Sequence, residues 1–168
     1  MVALTEIKRL INNGQNKSHI DKQSSIKPFN EAKSIAKKKN LEKEIILIDS
    51  YIQYYIKNDY DTTKSFLEKY HKIKDIQLIS YYYFLYGNIY YNEGDYDRAI
   101  ESYEKALDTP GYDTPGMALN NLGLAYSKKG DYDRAIESYQ KALDTPGYDT
   151  AEMALNNLGL VYLQKRRS

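Results

Sequence analysis

GDYDRAIESYEKALDTPGYDT begins at Gly94 and GDYDRAIESYQKALDTPGYDT at Gly130, and the two stretches differ at one residue, Glu104 against Gln140. Upstream of each lies a second matching piece: ALNNLGLAY starts at Ala118 and recurs as ALNNLGLVY at Ala154, so both pieces obey one offset of 36 residues. Another step of the same size back from Gly94 reaches Asn58 in NDYDTTKSFLEKY, a weaker copy preceded by the helical stretch EKEIILIDSYIQYYIK. Self-similarity at a fixed period of this length marks an array of stacked supersecondary units.

Within the unit, Ala99, Ile100, Tyr103, Ala106 and Leu107 fall on one stripe of an amphipathic helix, and Ala135, Ile136, Tyr139, Ala142 and Leu143 repeat it. Asp95 and Asp131 stand where an N-cap is wanted, and Glu101 with Lys105 and Glu137 with Lys141 make favourable i, i+4 pairs. The helix stops before Pro110 and Pro146, whose missing N–H ends a hydrogen-bond ladder. Thr114 and Thr150 are then placed to cap the next helix. Each unit therefore reads as helix, short turn, helix, longer turn, and stacking of neighbours supplies the core that a lone hairpin lacks.

These units resemble tetratricopeptide repeats. Leu119, Leu122, Gly123, Tyr126, Ala135, Tyr139 and Ala142 fit that family's pattern of large, Leu-Gly, Tyr, Ala, aromatic and Ala positions. The preceding unit fits with Tyr83, Tyr86, Gly87, Tyr90, Ala99, Tyr103 and Ala106, Tyr86 replacing leucine. The resemblance implies an all-α fold, a right-handed α-solenoid of antiparallel helix hairpins with a 36-residue period. The period exceeds the family's usual length by two residues, which fall in the DTPGYDT turn, so that turn is expected to project. Gly87, Gly123 and Gly159 are expected to let the helices of a hairpin approach, with tyrosines filling the wedge between hairpins. Ser50, Tyr51, Thr63 and Tyr70 in the Asn58 copy replace small or apolar residues, which predicts a splayed hairpin.

The expected organisation is an irregular helical hairpin over 1–40, a diverged repeat over 41–75, repeats over 76–112 and 113–148, and a capping helix or the start of a further unit over 149–168. In the first segment LTEIKRLI reads as helix, NNGQNKSHIDKQSS as a polar connection, and Pro28 through Lys39 as a second helix.

Composition narrows the function. The 168 residues hold no cysteine, so neither a disulfide framework nor a thiolate zinc site is expected, and a reducing, cytoplasmic setting is the expectation. No stretch approaches the roughly 18 apolar residues of a membrane span. Residues 1–80 carry 15 Lys/Arg against 10 Asp/Glu and residues 81–168 carry 9 against 13, but the lysines are scattered and form no basic patch interleaved with aromatics, so neither a nucleic-acid nor a membrane partner is expected. His19 and His71 are far apart and lack metal-ligand spacing, and Asp95 with Asp97 and Asp131 with Asp133 recur with the repeat as first-turn carboxylates that favour the helix dipole. No glycine-rich phosphate loop is present. The reading is accordingly no enzyme, no catalytic residue, no metal and no cofactor.

In repeats of this family the first helix of each hairpin lines the concave groove. Carried onto this sequence, that implies a partner-binding face of Tyr81, Phe84, Asn88, Tyr91, Asn92, Met117, Asn120, Asn121, Leu124, Lys128, Asn156, Asn157 and Leu160, with Ile48, Ile52 and Tyr55 in the diverged unit. An amide side chain donates and accepts, so asparagines suit an extended peptide backbone, Asn121 and Asn157 foremost. Phe84, Met153 and Asn157 stand where members that grip a terminal carboxylate keep cations, so no such clamp is expected. The leading function is a scaffold or adaptor that holds another protein's peptide or helix in the groove. The alternatives are a homo-oligomeric structural protein associating through the C-terminal helix, and a peptide-sensing regulatory module of a longer protein.

Overall fold

The computed structural model describes residues 2–18, 21–68 and 76–167, and these are helical apart from their turns, with no strand among them. The chain divides into two compact units, residues 1–74 and 75–168. Both histidines, and Tyr70, lie outside the described residues.

In the first unit α1 (Val2–Ser18) packs on α2 (Lys22–Lys38), followed by α3 (Glu42–Ile52), a π-helical turn Gln53–Lys57 and α4 (Tyr60–Glu68). The sequence expectation is corrected here. The polar run after LTEIKRLI is largely helical, because Ile7, Leu10, Ile11 and Gly14 continue one buried stripe and the polar residues are its solvent face. A Cβ at Gly14 would lie 2.6 Å from the Phe29 ring, so the bare glycine is what seats that ring. Helix α2 likewise starts six residues before Pro28, because Asp21 caps it by accepting from the N–H groups of Gln23 and Ser24, each at 3.0 Å. Pro28 sits inside α2, buried with Phe29, Ala32 and Ala36. Tyr51 and Leu67 are buried too, and buried Ser50 and Thr63 turn their hydroxyls onto the carbonyls of Ile46 and Asp59 at 2.9 and 2.6 Å. Polar side chains fit this core because each satisfies itself on its own helix.

In the second unit the order is α5 (Ile76–Asn92), α6 (Tyr96–Leu107), α7 (Pro115–Lys128), α8 (Tyr132–Leu143) and α9 (Ala151–Lys165). Consecutive helices pack, α5 with α6, α6 with α7, α7 with α8 and α8 with α9. The turns into α4, α6 and α8 repeat at the 36-residue offset, with Asn58, Gly94 and Gly130 left-handed at φ 54°, 79° and 80°. The next residue caps each helix: Asp59 accepts from the N–H of Thr62, Asp95 from Arg98 and Asp131 from Arg134, at 2.9, 3.1 and 3.2 Å. Thr114 and Thr150 occupy cap positions but make no side-chain cap bond, so their expected role is corrected; α7 is begun instead by Pro115, whose fixed φ suits the first turn.

The glycine contacts hold at two positions of three. A Cβ at Gly87 would meet the Tyr103 ring at 2.5 Å, and one at Gly123 the Tyr139 ring at 2.7 Å, so each tyrosine lies across the first helix of its own hairpin. At Gly159 nothing lies within 4 Å. The long turns do not stand free either. Tyr112 packs edge-on against Tyr81 with centroids 5.9 Å apart, and the Tyr81 hydroxyl donates to Asp113 at 2.5 Å. Tyr148 lies on Gly116, where a Cβ would come within 2.7 Å. Each long turn thus folds back with its one tyrosine as an aromatic plug.

Candidate partner-binding face

The first helices of the second unit, α5, α7 and α9, are joined by amides. Asn121 Nδ2 donates to Asn88 Oδ1 at 2.9 Å, Asn120 Nδ2 to Asn121 Oδ1 at 3.2 Å, and Asn157 Nδ2 to Asn120 Oδ1 at 3.0 Å. Asn88 Oδ1 also accepts from the buried Tyr103 hydroxyl at 2.8 Å. A buried amide is costly unless satisfied, so this chain of bonds fixes the register of one hairpin on the next.

Further bonds between neighbouring hairpins recur with the repeat. Lys129 pairs with Asp97 and Lys165 with Asp133, while the Tyr126 hydroxyl reaches Glu104 at 2.7 Å. Within each hairpin a cation–ring contact recurs as well, Arg98 lying 4.5 Å over the Tyr90 ring and Arg134 4.6 Å over Tyr126. Burial, then the bond it donates to Glu104, pushes the Tyr126 hydroxyl above its ordinary pKa; burial, then the nearby Tyr91, does so for Tyr139. These phenols stay neutral and able to donate at physiological pH.

The thirteen residues expected on this face divide by depth. Tyr81, Phe84, Asn88, Met117 and Asn120 are buried. Tyr91, Asn121, Leu124 and Asn157 are half-buried, and Asn92, Lys128, Asn156 and Leu160 are exposed. On α5 and α7 the stripe therefore opens at the C-terminal ends, while its N-terminal part is buried, with Tyr112 packed on Tyr81 and Tyr148 on Gly116. In the first unit Ile48 is buried and Ile52 and Tyr55 are half-buried.

No group of three or more His, Cys, Asp or Glu among the described residues could hold a metal ion. Two open depressions of about 470 and 420 Å³ lie at the turns; one is lined by Asp131, Asp133 and Lys165, the other by Asp95, Asp97 and Lys129, and their charges are occupied with capping and pairing. No described helix is long and apolar enough to cross a membrane.

A set of paired helices repeating at a fixed offset, each pair closed by an aromatic ring on a bare glycine, defines a helical-hairpin repeat protein. Residues 77–146, the segment from α5 to α8, match the family model of the tetratricopeptide repeat. No curated protein matches the chain. Repeats of this family generally mediate protein–protein interaction and are typically non-catalytic.

Proposed function

We propose that the second unit is a scaffold or adaptor module that holds an extended segment of another protein along the first helices α5, α7 and α9. The observation that carries this reading is the half-buried strip of Tyr91, Asn121, Leu124 and Asn157, flanked by exposed Asn92 and Lys128. Its mixture of apolar surface and amides suits a backbone that needs both desolvation and hydrogen bonds. Asn120 and Asn88 act at one remove, holding Asn121 and Asn157 in place.

The test is affinity capture from the source cell with three baits. Wild type and a Lys105→Glu/Lys141→Glu variant, altered on the second helices, should retain the same partner; Asn92→Glu/Lys128→Glu should lose it with unchanged helical circular dichroism. Equal capture by all three baits would remove the first-helix face from the account. A second reading, association of copies of this chain through the C-terminal helix, is favoured by the exposure of Leu155, Leu160, Tyr162 and Leu163 on α9.

A further inference from the structure

Ala154–Tyr162 copies Ala118–Tyr126 except that Val161 replaces Ala125, yet α9 ends in different company from α7. In α5 and α7 the side carrying the glycine is covered by the second helix of the hairpin. In α9 that side is bare: Leu155, Tyr162 and Leu163 are 55%, 45% and 53% exposed, and Gly159 faces open space.

Two residues of this stretch depart from the copy that leads into α8. Glu152 stands 36 residues after Gly116, the glycine on which the Tyr148 ring lies. Arg166 stands 36 after Gly130, whose left-handed φ turns the chain into α8, but Arg166 has φ −72°. A third departure from the copy, Leu163 in place of Ser127, adds apolar surface to the bare side.

Together with the retained Leu155 and Gly159, these departures make a symmetrical pattern. Leu155 and Leu163 lie four residues either side of Gly159, and Glu152 and Arg166 lie seven either side; all five are exposed. Offsets of four and seven share one helix face. Turned end over end about Gly159, the face therefore presents leucine to leucine, glycine to glycine and carboxylate to guanidinium. Self-complementarity of this kind is what a two-fold contact requires.

We propose that α9 is a self-association helix, and that two copies of the chain pair antiparallel about a two-fold axis at Gly159. Leu155 packs on Leu163 of the second copy, Glu152 meets Arg166 of the second copy, and the glycines let the two backbones approach. This rests on the second reading of function and names its geometry. One helix face is well below a standard interface, so the dimer is reversible.

Sedimentation equilibrium of the full chain should show the average mass rising with concentration toward twice 19.5 kDa. Leu155→Glu/Leu163→Glu should hold it at the monomer with unchanged circular dichroism. Because the chain has no cysteine, oxidative cross-linking reads the register. A mixture of Leu155→Cys and Leu163→Cys proteins should give a covalent dimer of one of each. Neither should do so alone, since like positions in the pair are offset by about 12 Å along the axis, beyond disulfide reach. Glu152→Arg should weaken the dimer and Glu152→Arg/Arg166→Glu restore it. A chain that stays monomeric at every concentration, a dimer indifferent to the glutamates, or a covalent dimer from Leu155→Cys alone overturns the proposal. Partner capture through Asn92 and Lys128 is scored separately, so failure here leaves that reading standing.

Discussion

Gly123 and Gly159 occupy the same place in two copies of one sequence, and the difference between them isolates what a bare Cα is for. Under the Tyr139 ring, a methyl group has no room without displacing an aromatic that is only 1% exposed. Gly123→Ala should therefore destabilise by about 1–3 kcal/mol, the range of overpacked cores. Gly159→Ala meets nothing and should stabilise by roughly 0.5–1 kcal/mol, the helix-propensity gain of alanine over glycine. Denaturation midpoints of the two variants, read at a dilution that keeps the chain monomeric, should move in opposite directions. Tyr139→Ala should cost about 3–5 kcal/mol as an aromatic truncation. Tyr103→Phe keeps the packing but takes one donor from Asn88 Oδ1, so a loss near 1 kcal/mol is expected in the same assay. Gly87, Gly123 and their tyrosines were legible in the sequence because the pattern repeats; Gly14 with Phe29 was not, because that pair occurs once and no offset exposes it.

At the scale of the helix, the caps set a dependence on acid. The bond from Arg98 holds the Asp95 carboxyl below the usual carboxylate range; for Asp131, burial pulls the other way but the bonds from Arg134 outweigh it, leaving the carboxyl lowered. A carboxyl whose pKa is lower in the folded chain stabilises it above the unfolded pKa near 4, and the effect fades as pH falls through the folded value. Asp131→Ala should thus cost about 0.5–2 kcal/mol at pH 7. In thermal melts, the gap between variant and wild type should close as the carboxyl protonates. The positions of these caps could be read from the Gly-Asp pair alone, whereas the Thr114 and Thr150 caps could not, since a hydroxyl in the right place still needs an aimed rotamer. The start of α2 was missed for a related reason: Pro28 reads as a helix opener, but Asp21 had already closed the first turn.

For the whole molecule, the repeat carried the fold and left the binding face only partly visible. A helical stripe says which residues share a side, but depth depends on what covers them. Tyr81, Phe84 and Met117 lie on the expected stripe and are buried, with Tyr112 and Asp113 of the long turn lying against Tyr81. Asn88 and Asn120 are buried as well, spent on the bonds that register α5, α7 and α9. The amides that remain accessible are Asn92 at the end of α5, Asn121 within α7 and Asn156 and Asn157 within α9, a division by depth that no periodicity singles out. The most direct measurement of the proposed function is amide hydrogen exchange on the full chain with and without the captured partner. Added protection should appear over the segment containing Tyr91 and Asn92 and over Asn121–Lys128, with α6 and α8 unchanged. Protection confined to α6 and α8, or to residues 1–68, would contradict a partner held along the first helices.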